Sequence, residues 1–168
     1  DPEEIVAYLN DGSGGAWTRR LVSESSIYGG VLGDIGSDGD LDLVGCRNWD
    51  MRPIEWYENR IRDPKLALDR WTYVEVDDGR AAWGDFDEPG YLRYFGLGIG
   101  DIDGDGRRDI VSGRYAYHNP GDPTAEWART DFGLNVDAFA VVDVDGDARA
   151  DVLGAAYPDV YWLEAPSV

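Results

Sequence analysis

The sequence predicts an all-β fold built from a repeated unit, and three observations carry that prediction. Apolar and aromatic residues come in short, roughly alternating runs bounded by Gly, Pro, Asn and Asp, with no long stretch of helical periodicity. An aspartate-rich segment recurs as "GDIGSDGDLDLVG" (33–45), "GDIDGDGRRDIVSG" (100–113) and "VDVDGDARADVLG" (142–154). Two further strand-like units recur with it in constant order, which marks a repeat architecture.

Each element follows from that order. The apolar run before an aspartate segment is a first strand and the run after it a second. The third strand is an aromatic unit, "IVAYLND", "IEWYENR", "YAYHNPG" or "VYWLEAP". The fourth is a tryptophan unit, "AWTRRLV", "RWTYVEV" or "EWARTDF", with Trp17, Trp71 and Trp127 in register. Residues 1–26 supply a half unit, 27–93 a complete unit followed by a long connection, 94–133 a second complete unit, and 134–168 a first, second and third strand. Four antiparallel strands per repeat make the blade of a β-propeller, so the chain is expected to hold about three blade-equivalents, starting and ending in mid-blade. Thirteen strands would leave open sheet edges, to be met by the remainder of a larger propeller or by self-association that closes the ring.

Composition narrows the partners. A net charge of -19 over 168 residues, from 34 acidic against 15 basic, disfavours nucleic acid and anionic membrane and favours cations. The apolar runs are strand-sized and the N-terminus "DPEEIVAYLN" has neither a basic region nor an apolar core, so neither membrane insertion nor a signal peptide is expected in this chain. Cys46 has no partner for an internal disulfide, which fits a reducing compartment or a secreted protein held together by other means, calcium among them.

The aspartate segments have the chemistry of a calcium loop. Calcium takes six to eight oxygens at about 2.3–2.6 Å, and alternate carboxylates converge on one ion where glycines let the backbone curl. In the central loop the candidate ligands are Asp101, Asp103, Asp105 and Asp109, with Arg107 offering its carbonyl. The third loop repeats them as Asp143, Asp145, Asp147 and Asp151, with Arg149 in the place of Arg107. There Ala148 replaces a turn glycine, at an expected cost of about 1 kcal/mol and weaker binding. The first loop keeps Asp34, Asp38 and Asp42; Gly36 removes one ligand and Asp40 partly compensates. An EF-hand is the competing reading, but Ser112 stands where its bidentate Glu belongs and a strand-like segment follows. A solvated acidic turn without an ion is the other alternative.

Together, "YFGLGIGDIDGDGRRDIVSG", "WYEN" and "WTRRLV" resemble the FG-GAP and VCBS repeats of integrin-α propellers and of many bacterial propellers, the bacterial branch more closely. The resemblance covers nearly the whole chain. It implies a calcium ion in each intact loop, all loops on one face of the disc, and a secreted or cell-surface protein. A noncatalytic module for ligand binding or adhesion, lectin-like and most readily for carbohydrate, is the function expected; an extracellular protein ligand is also open. Part of a propeller-type polysaccharide lyase and a structural spacer are the alternatives.

Subtracting the repeat leaves a second candidate site. The repeat accounts for Trp17, Trp56, Trp71, Trp127 and Trp162 but not for Trp49, in "CRNWDMRP", or Trp83, in "GRAAWGDFDEPGYLRY". Both connections would lie on the face away from the calcium loops. With Arg47, Asp85 and Arg93 they offer aromatic plates beside hydrogen-bonding groups, a combination suited to sugars; packing of the two indoles onto their own blade is the competing reading. Evidence for catalysis is thin. His118 occupies a repeat position filled by Leu9 and Glu58, and no nucleophile elbow, P-loop or zinc spacing is present.

Overall fold

The computed structural model describes residues 4–10, 12–47, 53–59, 72–80, 96–122 and 124–165. It is all-β, with thirteen strands in four antiparallel sheets and no helix among the described residues. The first sheet pairs β1 (Ile5–Asn10) with β2 (Trp17–Ser23). The second runs β3 (Tyr28–Gly33), β4 (Asp42–Cys46), β5 (Ile54–Glu58) and β6 (Thr72–Asp77) in order. The third repeats that meander with β7 (Leu97–Gly100), β8 (Asp109–Ser112), β9 (Tyr115–His118) and β10 (Ala128–Asp131). The fourth holds β11 (Asp137–Val142), β12 (Asp151–Ala156) and β13 (Asp159–Leu163). The grouping of two, four, four and three strands is the one the repeat predicts. Among the described residues no helix is long and apolar enough to cross a membrane.

The first strands bring the sheets together: β7 lies against β3 on one side and β11 on the other. Glycine permits that approach. A Cβ on Gly96 would sit 2.1 Å from the carbonyl oxygen of Ala138, and one on Gly100 would sit 2.3 Å from Val141 Cγ1. The seam is tied by Ala138 N–H donating to Gly113 O at 2.8 Å and Gly96 N–H donating to Asp137 Oδ1 at 2.8 Å.

The inner strands of the third sheet, β8 and β9, are consequently buried on both faces, while β10 at its edge is exposed. Ile110 and Tyr117 pack toward the second sheet with Ile35, Val44, Ile54, Trp56 and Trp127, while Val111 and Ala116 pack toward the fourth with Ala138 and Val152. Neighbouring strand residues point to opposite faces. That is why the whole of β8, Asp-Ile-Val-Ser, is buried despite having no uniform apolar pattern. Between the second and third sheets the Arg80 guanidinium is buried, donating to Ser112 Oγ at 2.7 Å and to Cys46 Sγ at 3.1 Å. Cys46 is thereby spent on packing, and burial pushes its thiol above the usual range.

The outer face of the fourth sheet has no such cover among the described residues. Trp162 is 47% exposed where its counterpart Trp56 is 2%, and Val144 is 46% exposed where Ile35 is 1%. Trp17, in β2, is likewise exposed. Packing between sheets therefore accounts for Trp56 and Trp127 but leaves Trp17 and Trp162 in solvent.

The seam glycine gives a direct test. Gly96→Ala drives a methyl into backbone, which cannot rotate away, and should cost about 2 kcal/mol or more in denaturant unfolding. Gly104→Ala, in open space at a φ of +78°, should cost only about 1 kcal/mol.

Candidate metal centres

All three aspartate segments fold into the same turn, joining β3 to β4, β7 to β8 and β11 to β12. The first aspartate organises each turn by accepting backbone N–H bonds from the residues it precedes. Asp101 accepts from Gly104 at 2.8 Å and Gly106 at 2.9 Å; Asp143 accepts from Gly146 at 2.7 Å and Ala148 at 3.0 Å. Asp34 accepts from Asp38 at 3.0 Å and Gly39 at 3.2 Å. The curl requires left-handed residues, and Ala148 adopts a φ of 71° where Gly106 has 87°. The first loop does the same with Ser37, at 54°.

The last aspartate has a different duty. Asp42, Asp109 and Asp151 are buried, and each clamps its loop to the end of the third strand. Through one oxygen Asp109 accepts from Ile102 N at 3.0 Å and through the other from Asn119 N at 2.9 Å. Asp42 does so with Ile35, Gly36 and Asn59, and Asp151 with Val144 and Ala165. Burial pushes the carboxyls of Asp42 and Asp109 above the ordinary carboxylate range against the pull of these donors, whereas the N–H of Ala165 holds Asp151 below it.

Carboxylate oxygens converge in two of the loops. Oxygens of Asp101, Asp103 and Asp105 lie within 4.8 Å of one another, as do those of Asp143, Asp145 and Asp151. A third group joins Asp103 and Asp109 to a nitrogen of His118. The sequence presented His118 as a variable strand-end residue with no place in the loop; it ends β9 beside the loop, with Nδ1 3.2 Å from Asp103 Oδ2 and Nε2 2.9 Å from Thr130 Oγ1. The only sequence signal for it was its place next to Asn119. Spacing of 4.8 Å or less between oxygens suits a cation bound at about 2.3–2.6 Å to each. The Arg107 and Arg149 guanidiniums pair with Asp105 and Asp147, alongside the carbonyl role read from the sequence.

The first loop has no arginine there. Asp40 takes the place of Arg107, and its Oδ1 is buried with no hydrogen-bond partner. Burial, with Asp38, Asp42, Asp34 and Glu58 around it, pushes its carboxyl up to about 6. A cation held by Asp34, Asp38 and Asp40 would remove that penalty, so the residues present fit the charge of the ion while their oxygens are less closely gathered than in the other loops.

Of the second candidate site, Trp49, Trp83, Asp85 and Arg93 lie outside the described residues. Arg47 is engaged: its guanidinium pairs with the buried Glu55 and lies 5.3 Å from the ring centroid of Tyr73. Compared with family models, curated proteins and solved structures, the chain matches none.

Two measurements follow. Ala148→Gly relieves a left-handed alanine and should raise unfolding stability by about 1 kcal/mol. For Asp40, a folded-state pKa of about 6 against an ordinary 3.8 means that its contribution to stability is full below 3.8 and lost as pH rises through 6. In chelator, Asp40→Asn should therefore melt above the parent protein at pH 7.5, with the gap closing by pH 4.5; in excess calcium the order should reverse.

Proposed function

We propose that this chain is a calcium-stabilised segment of a β-propeller of the FG-GAP and VCBS type, serving as a noncatalytic binding or adhesion module outside the cell. The observation that carries the reading is that one aspartate turn stands at the same place in three successive sheets, two of them gathering three carboxylate oxygens within 4.8 Å. The face-to-face succession of sheets through their first strands supports the propeller. Calcium supplies positive charge to each loop. In its absence Arg107 and Arg149 neutralise part of the second and third loops, whereas Asp40 stands at the corresponding position of the first.

On this reading the uncovered face bearing Trp162 and Val144 receives a further sheet of the same kind, from the remainder of a larger propeller or from a second copy. A secreted or cell-surface location supplies millimolar calcium, which suits loops of moderate ligand count. Carbohydrate is the proposed ligand of the face away from the calcium loops, through Trp49 and Trp83, with Arg47, Asp85 and Arg93 as hydrogen-bonding partners.

Calcium at about 100 times its dissociation constant adds about 2.7 kcal/mol per site, so melting temperature should fall by roughly 5–10 °C for each ion removed by EDTA. An unchanged melting temperature, with no metal in the purified protein, overturns the calcium assignment. On a glycan array, Trp83→Ala should weaken binding about tenfold while leaving the calcium-dependent melting shift intact. Unaltered glycan binding would transfer both indoles to blade packing.

A further inference from the structure

The two interfaces that flank the third sheet follow one plan but are filled differently. Between the second and third sheets, Trp56 of β5 meets Trp127 edge to face with ring centroids 6.1 Å apart, both within a buried core. In the next interface the same strand position is an alanine. Val44 pairs with Trp56 across β4 and β5, and Val111 pairs with Ala116 across β8 and β9. Ala116 thus faces the fourth sheet where the preceding repeat places an indole.

A cavity of about 370 Å³ lies there, walled by Ile102, Ala116, Phe132, Val152 and Leu163. Small-molecule sites run from roughly 300 to 1,000 Å³, and apolar cavities of about 150 Å³ take up a benzene ring, so this one has room for a bicyclic ring with a short tail. Its mouth is polar and acidic. Asp103 and Glu164 stand on it, with His118 held between Asp103 and Thr130. Arg149, also at the mouth, donates to Asp147 Oδ2 from Nε at 3.0 Å and from Nη2 at 2.7 Å, and lies close enough to Glu164 to feel its charge as well. A chain of net charge -19 adds a field that draws cations to such a mouth.

We propose that this cavity is a binding site for a planar aromatic amine: the ring enters where the repeat elsewhere places tryptophan, and the ammonium group stays at the mouth beside Glu164. The site uses neither of the Trp49 and Trp83 connections, and it adds a second class of ligand to the module.

Calorimetric titration of the full chain in excess calcium with tryptamine, indole and indole-3-propionate tests ring and charge separately. Tryptamine should bind at sub-millimolar concentration, indole about tenfold more weakly and the propionate weakest. Ala116→Trp should abolish tryptamine binding while holding or raising the melting temperature; Ala116→Leu, a smaller filling, should weaken it if the tryptophan variant does not fold. Glu164→Gln should narrow the preference for tryptamine over indole while leaving indole binding unchanged. Failure of all three probes at millimolar concentration, or tryptamine binding that survives both fillings of Ala116, overturns the site. Equal affinity for the amine and the propionate overturns the assignment of a cationic ligand.

Discussion

Everything in this fold hangs on a buried carboxylate. Asp42, Asp109 and Asp151 each begin the second strand of a sheet, and each uses both oxygens to fasten the preceding turn to the residue that follows the third strand. A carboxylate removed from water is costly unless its lone pairs are met, and here backbone N–H groups meet them. One side chain therefore fixes the shape of the turn, the depth at which it sits and the end of the neighbouring strand. The other aspartates are presented on a frame that this one holds.

The second constraint is closeness of backbones. Because β7 carries glycine on the side facing β11, the two first strands approach with little more than the Val141 side chain between them. The residue after the first aspartate, Ile35 or Ile102, leaves its own loop to pack in the interface with the following sheet. A loop rich in charge thus also supplies a core residue to its neighbour, which ties the shape of the aspartate turns to the stacking of the sheets.

Strand number, strand grouping and the location of the aspartate turns were legible in the sequence because each depends on short-range signals repeated three times. Ala148 was legible for the same reason: glycine at Gly106 and Gly39 defined what the position needs. The double duty of Asp109 was not, since an acceptor of two backbone N–H groups and a metal ligand look identical as letters. His118 was hidden by reading along the strand; its partners Asp103 and Thr130 come from a loop and a neighbouring strand, and only the register of β9 with β10 brings them together. The buried arginine at Arg80 left no trace in the sequence pattern, because its position is set by Ser112 and Cys46 in two different sheets.

Asn119 does more than end a strand. Its side-chain amide donates to the Arg108 carbonyl of the second loop and, at 3.0 Å, to the Ile35 carbonyl of the first. Two turns in different sheets therefore share one rigid amide, and a displacement of either carbonyl is transmitted to the other. The corresponding residue of the fourth sheet is Ala165, which has no amide to extend toward Ile102. Coupling between sites is reciprocal by thermodynamic necessity, so any factor by which a cation at the first loop changes affinity at the second is the factor by which one at the second changes affinity at the first. The third loop lacks that amide, and its link to the second runs instead through apolar packing of Ile102 with Val152 and Leu163.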